Sequence, residues 1–146
     1  MSNKHESMIG IMKLYDLRRE AKMREAREWF DAFYAGSFQD VVDVFNSEDD
    51  RFFRMVLTYW EMAASFVNHG AIDEQLFNEI NGEHIAVFAK VEPFIAELRE
   101  LTKSPQLLAN LEKLVLRIPN AKEALANFRE RAKERQSARQ KAAVSA

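Results

Sequence analysis

A chain of 146 residues with a net charge of −2 and 47% hydrophobic residues has the size and composition of one domain around one core. It has no cysteine, which excludes disulfides, thiolate catalysis and cysteine-bound zinc or iron–sulfur clusters, and is compatible with a reducing compartment. Four glycines and three prolines leave few turns, so long helices are expected rather than many short strands.

Residues 1–13 form an N-terminal segment whose order the pattern leaves open; the apolar run there is broken at Lys13, unlike a secretory leader. From Leu14 to Tyr34 the spacing predicts one helix, with Met23, Ala26, Phe30 and Phe33 on one face. Glu20 and Arg24 have the i, i+4 order that supports it, and Gly36 is a plausible stop. Ser37 with Asp40 resembles a capping box opening a short helix through Phe38, Val41, Val42 and Phe45. Ser47, then Glu48, Asp49 and Asp50, supplies a cap and negative charge for the helix Asp50–Asn68.

That helix, within DRFFRMVLTYWEMAASFVNHG, is apolar on nearly every side. Its polar residues Arg51, Arg54, Thr58, Glu61, Ser65 and Asn68 recur at steps of three and four and so share one narrow seam. Such a helix is expected to be the buried axle of a bundle. Gly70 should close it in a left-handed conformation.

Asp73 caps a short helix with Leu76, Phe77 and Ile80, and Asn81-Gly82 reads as its stop. A long helical pattern follows through Ile85, Phe88, Val91, Ile95, Leu98 and Leu101, with a kink or break expected at Pro93. Ser104-Pro105 is expected to start a helix with Leu108, Leu111, Val115 and Ile118 on one face. Pro119-Asn120 starts the last helix, whose apolar face ends near Ala132. Residues 14–132 are therefore expected to form the helical domain and 133–146 a frayed or disordered basic tail.

The charge is unevenly spread. Ser37 to Leu101 holds thirteen Asp/Glu against four Lys/Arg, whereas Thr102 onward holds ten Lys/Arg against four Asp/Glu. An acidic middle and a basic end attract each other, within one chain or between two. The basic tail is dense enough to touch phosphate, but Glu130 and Glu134 interrupt it and no aromatic residue interleaves it, so a solvated helix end is the preferred reading over a nucleic-acid contact.

Chemistry-bearing motifs are few. The candidate polar seam is Arg54, Thr58, Glu61 and Ser65, with Glu61 as the residue to watch. Glu61 is read either as a functional carboxylate in a cleft or as a structural one, paired with Arg54, with Arg24 or Arg27 of the first helix, or solvated. Tyr59 and Trp60 are the candidate wall of an apolar pocket. His5, His69 and His84 lack the spacing of paired metal ligands. There is no Gly-x-Ser-x-Gly elbow or phosphate-cradling glycine loop either. No catalytic, metal or cofactor site is expected. Sixteen aromatic residues are many for so small a core, and the surplus points to an oligomer interface.

The segment KLYDLRREAKMREAREWF, followed by TYWEMAASFVNHGAIDEQLF, resembles a bacterial domain-of-unknown-function family of small all-helical proteins. In that family an Arg-rich first helix precedes a Trp-Glu helix, a Gly-x-Ile-Asp turn and a short Leu-Phe helix. The matching positions are Leu17, Arg18, Ala26 and Arg27, then Tyr59, Trp60, Glu61, Gly70, Ile72, Asp73 and Phe77, and the similarity covers Leu14 to Phe94. The resemblance implies a helical fold and no activity. Some relatives carry a membrane segment before this domain; no stretch here reaches the roughly 18 apolar residues of a span.

The sequence thus predicts an all-α, single-domain irregular bundle of six or seven helices around Asp50–Asn68. It is expected to be cytoplasmic, non-enzymatic and self-associating, with a dimer favoured, and to serve as an interaction or regulatory module for its own copy or another helical protein. The alternative is a small-molecule binding protein with a pocket at Trp60 and Glu61.

Overall fold

The computed structural model describes residues 3–145 and contains nine α-helices and no strand among them. Residues 1, 2 and 146, at the ends of the expected N-terminal segment and tail, lie outside the described residues. In chain order the helices are α1 (Lys4–Arg18), α2 (Ala21–Ala32), α3 (Phe38–Phe45), α4 (Asp50–Asn68) and α5 (Glu74–Ile80). They continue as α6 (Glu83–Val91), α7 (Ile95–Leu101), α8 (Ala109–Leu116) and α9 (Ala121–Ser145).

The first helix differs from the expectation. Leu14–Tyr34 is not continuous, and the helix before the break begins at Lys4. Glu20 does not pair with Arg24 along a helix; it stands outside α2 as its N-cap, accepting from the Lys22 and Met23 amides at 3.0 and 2.9 Å. Those two amides hold its carboxyl below the usual range. Residues 4–13 are helical because α1 has a buried face of Ser7, Ile11 and Leu14. Ser7 also accepts from the Asp73 amide at 2.9 Å, and Lys4 reaches the Asp73 carboxylate at 3.0 Å.

α4 is the axle, as its pattern predicts. It buries Phe52, Phe53, Val56, Leu57, Tyr59, Trp60, Ala63, Ala64 and Val67 against α2, α3, α5, α6 and α8. It is not enclosed all round, because Arg51, Arg54, Thr58, Met62 and Phe66 form an exposed side. Ser47 stands two residues too early to cap it: Asp49 is the N-cap residue, and the Ser47 hydroxyl accepts from the Asp49 amide at 3.2 Å. Gly70 takes φ +79, ending the helix as expected. Aromatic side chains seal α2 to α4, with Phe30 stacked on Phe53 at 5.8 Å and Trp29 edge-on to Phe53 at 6.4 Å.

Pro93 breaks the chain into a short 3₁₀ turn at Glu92–Phe94 before α7 resumes, because proline cannot donate the next helical bond. α8 starts at Ala109 rather than Pro105. The turn between holds Lys103 and Leu108 at φ 55 and 58. Leu108 is 2% exposed, so burial of its side chain offsets the roughly 1–2 kcal/mol cost of that backbone.

The expected tail boundary at Ala132 is also corrected, since α9 continues as helix to Ser145. Its last turns carry exposed side chains, but they cover the carbonyl end of α2. Gln136 donates to the Tyr34 carbonyl and Arg139 to the Ala32 carbonyl, each at 3.1 Å. Lys90 of α6 donates to the carbonyls of Phe30 and Asp31 at 2.6 and 2.9 Å. α2 ends at Ala32 without a glycine, and side chains from two later helices bond carbonyls at and just beyond its end.

Candidate functional site

The expected polar seam does not come together. Arg54 pairs with Asp50 at 2.8 Å, Thr58 donates back to the Arg54 carbonyl at 2.8 Å, and the Ser65 hydroxyl lies 3.5 Å from His69 Nδ1. These are local contacts within the α4 surface. Arg24 is exposed and makes no ion pair among the described residues.

Glu61 has a different partner from every arginine considered for it. Its carboxylate accepts from the Leu111 amide at 2.8 Å, from the Asn110 amide at 3.2 Å and from the Asn110 side chain at 3.0 Å. Those groups open α8, whose own N-cap residue, Leu108, has no side chain able to accept. Glu61 therefore serves as the missing cap from 49 residues away, a negative charge on the positive end of a helix dipole.

Arg27 belongs to a second cluster. Its Nε donates to both Glu83 oxygens at 3.0 Å, and Glu83 also accepts from Trp60 Nε1 at 3.2 Å. Arg18 lies over the Trp60 ring at 5.4 Å. The pocket expected at Tyr59 and Trp60 is filled by protein. Trp60 is 1% exposed among Tyr59, Phe77 and His84, and the buried Tyr59 hydroxyl donates to the Leu14 carbonyl. Burial pushes the Tyr59 phenol up to about 12. His84 is wholly buried, with both ring nitrogens unpartnered; burial, then nearby Arg18, lowers it to about 4.

A third set of charged groups surrounds Lys90, and reading the sequence for motifs missed it. Lys90 is 6% exposed, and burial lowers its ammonium to about 8. On one side it borders a small cavity of about 30 Å³ shared with Arg27, Glu83, Asp31 and Arg135, room for about one water. On the other it borders an open cleft against α9. The signal was present: Lys90 is the one Lys or Arg between Arg54 and Arg99, set in the apolar run IAVFAKV.

Geometrically the molecule thus offers two internal charged clusters that hold helices together and one cation at a cleft. No curated protein and no solved structure matches the chain. A family model does: the match covers residues 6–118, from within α1 to the end of α8, and is wider than the Leu14–Phe94 stretch that carried the resemblance. The chain belongs to that family, described as Domain of unknown function (DUF4760).

Proposed function

We propose that this protein is a non-enzymatic interaction module that associates with a second copy of itself through α1. The observation that carries this reading is where the exposed apolar side chains fall. Eleven large ones are exposed among the described residues, and five of them, Met8, Ile9, Met12, Tyr15 and Leu17, lie on this one helix. α1 is thus apolar on its outer side as well as on the side that meets the core, which is the character of a helix awaiting a partner.

A second copy fits this face. His5, Met8, Met12 and Tyr15 follow the alternating three- and four-residue steps of a coiled-coil seam. Run antiparallel to itself, the seam sets Met8 against Met12 and His5 against Tyr15, twice each about a two-fold axis, the self-complementarity that an isologous dimer requires. The half-buried networks at Glu61 and Glu83 support a structural rather than catalytic role for those carboxylates, because all their strong contacts are to helix ends or neighbouring side chains.

Native mass spectrometry and light scattering test this. The intact chain is expected to be a dimer, and Met12→Glu a monomer of unchanged helical content. A wild-type monomer at the highest soluble concentration, or a Met12→Glu dimer, would sink the reading.

A further inference from the structure

Lys90 is the one buried lysine or arginine among the described residues. Buried ammonium groups are ordinarily matched by a carboxylate. This one donates only to two main-chain carbonyls and has no carboxylate within ion-pair distance among the described residues. The C-terminal end of α2 offsets about half a charge at most. Asp31 and Glu83, beside the small cavity on its other side, also favour its charge, and Lys90 lines in addition a cleft of about 440 Å³ together with the α2–α3 connection, the Pro93 turn and α9.

Two further cations line the same cleft. Arg129 shares the Glu92 carboxylate with Lys122, at 2.9 and 2.7 Å, so one acid serves two bases. Lys133 is exposed and has no ion-pair partner among the described residues. Against them the cleft has one carboxylate of its own, Glu130. Asp40 stands beside it, accepting from the Gly36 amide at 2.8 Å. The cleft is also lined by the apolar side chains of Tyr34, Pro93 and Phe94, with Phe38 6.5 Å from Phe94.

We propose that this cleft binds a small organic anion, its phosphate or carboxylate group held by Lys90, Arg129 and Lys133 and its aromatic body lying on Tyr34 and Phe94. Its volume falls in the range of small-molecule sites, and the mixture of an apolar wall with a few convergent polar groups is their usual make-up. Glu130 and Asp40 limit the favourable charge to one anionic group and weigh against a long polyanion. The site is independent of the α1 face, so dimer formation and ligand binding succeed or fail separately.

The test is a titration of the isotope-labelled full chain with phenyl phosphate, followed by amide chemical shifts. Saturable shifts centred on Ala35, Gly36, Phe94 and Lys133 are expected. Lys133→Glu should weaken binding at least tenfold, and Ala126→Trp should block the cleft. Both positions are exposed, and the unliganded spectra check that each variant keeps its fold. Phenol and inorganic phosphate should each bind more weakly than phenyl phosphate. Shifts that never saturate, that map to another surface, or that survive both substitutions unchanged would overturn the proposal. Inorganic phosphate binding as tightly as phenyl phosphate would overturn the role of the aromatic wall.

Discussion

Glu61 and His84 are opposite cases of a polar group placed inside a helical protein. Glu61 satisfies three donors at the start of α8, so Glu61→Ala is expected to cost about 2 kcal/mol in urea unfolding and Glu61→Gln, which keeps one acceptor, about 1 kcal/mol. An unchanged midpoint in both would show that α8 caps itself. His84 satisfies nothing in return for its burial. Its folded pKa of about 4 lies below the unfolded value of 6.5, so between these pH values the unfolded chain binds the extra proton. Stability should therefore fall by about 3 kcal/mol as pH drops from 6.5 to 4. His84→Leu should remove most of that slope and raise stability at neutral pH by about 1 kcal/mol, through loss of two unpartnered nitrogens. Thermal unfolding across pH separates the two behaviours. Glu61 was visible in the sequence as a carboxylate needing a partner, but an α8 amide was not a partner that helical spacing can suggest.

At the scale of elements, α2 and α9 depend on each other. α2 lacks a glycine terminator, and its carbonyl end is closed by Lys90, Gln136 and Arg139. The final turns of α9 have no buried side chain beyond Ala132 among the described residues, so these contacts rather than apolar packing hold them. The Arg135–Asp31 pair, 3.6 Å and exposed, adds little. Replacing Gln136 and Arg139 together by Ala should cost only about 1 kcal/mol overall, since water reaches the freed carbonyls. Hydrogen exchange should nevertheless lose its protection selectively between residues 133 and 145. Unaltered protection there would mean that the helix is held by its own propensity. The sequence reading ended the ordered domain at Ala132 because apolar periodicity ends there, and periodicity reports only burial of apolar faces.

Across the whole molecule, the acidic middle and basic end meet in part within one chain, where Arg129 and Lys122 reach Glu92 and Arg117 reaches Glu74. The proposed association rests on the apolar outer face of α1 instead. A dimer formed there should persist or strengthen at high salt, because apolar contact is not screened as charge is. Dissociation by salt would point instead to α9 of one copy lying on the acidic surface of another. Among the described residues no helix is long and apolar enough to cross a membrane.

What the sequence by itself determined is the set of features whose cause is local. It specified an all-α fold, the axle Asp50–Asn68, the break at Pro93, the Asp73 cap and the left-handed Gly70, because helical spacing, missing amides and capping oxygens act within a turn or two. The three-dimensional structure decided everything that joins distant residues. It put Glu61 on α8 rather than on an arginine, Arg27 on Glu83, and Lys90 at the end of α2. It also closed the space beside Trp60 with Phe77 and His84, where a pocket had been expected. Each of these follows from packing, which brings together groups as far as 60 residues apart and then requires every buried charge and helix end to find whichever partner lies nearest.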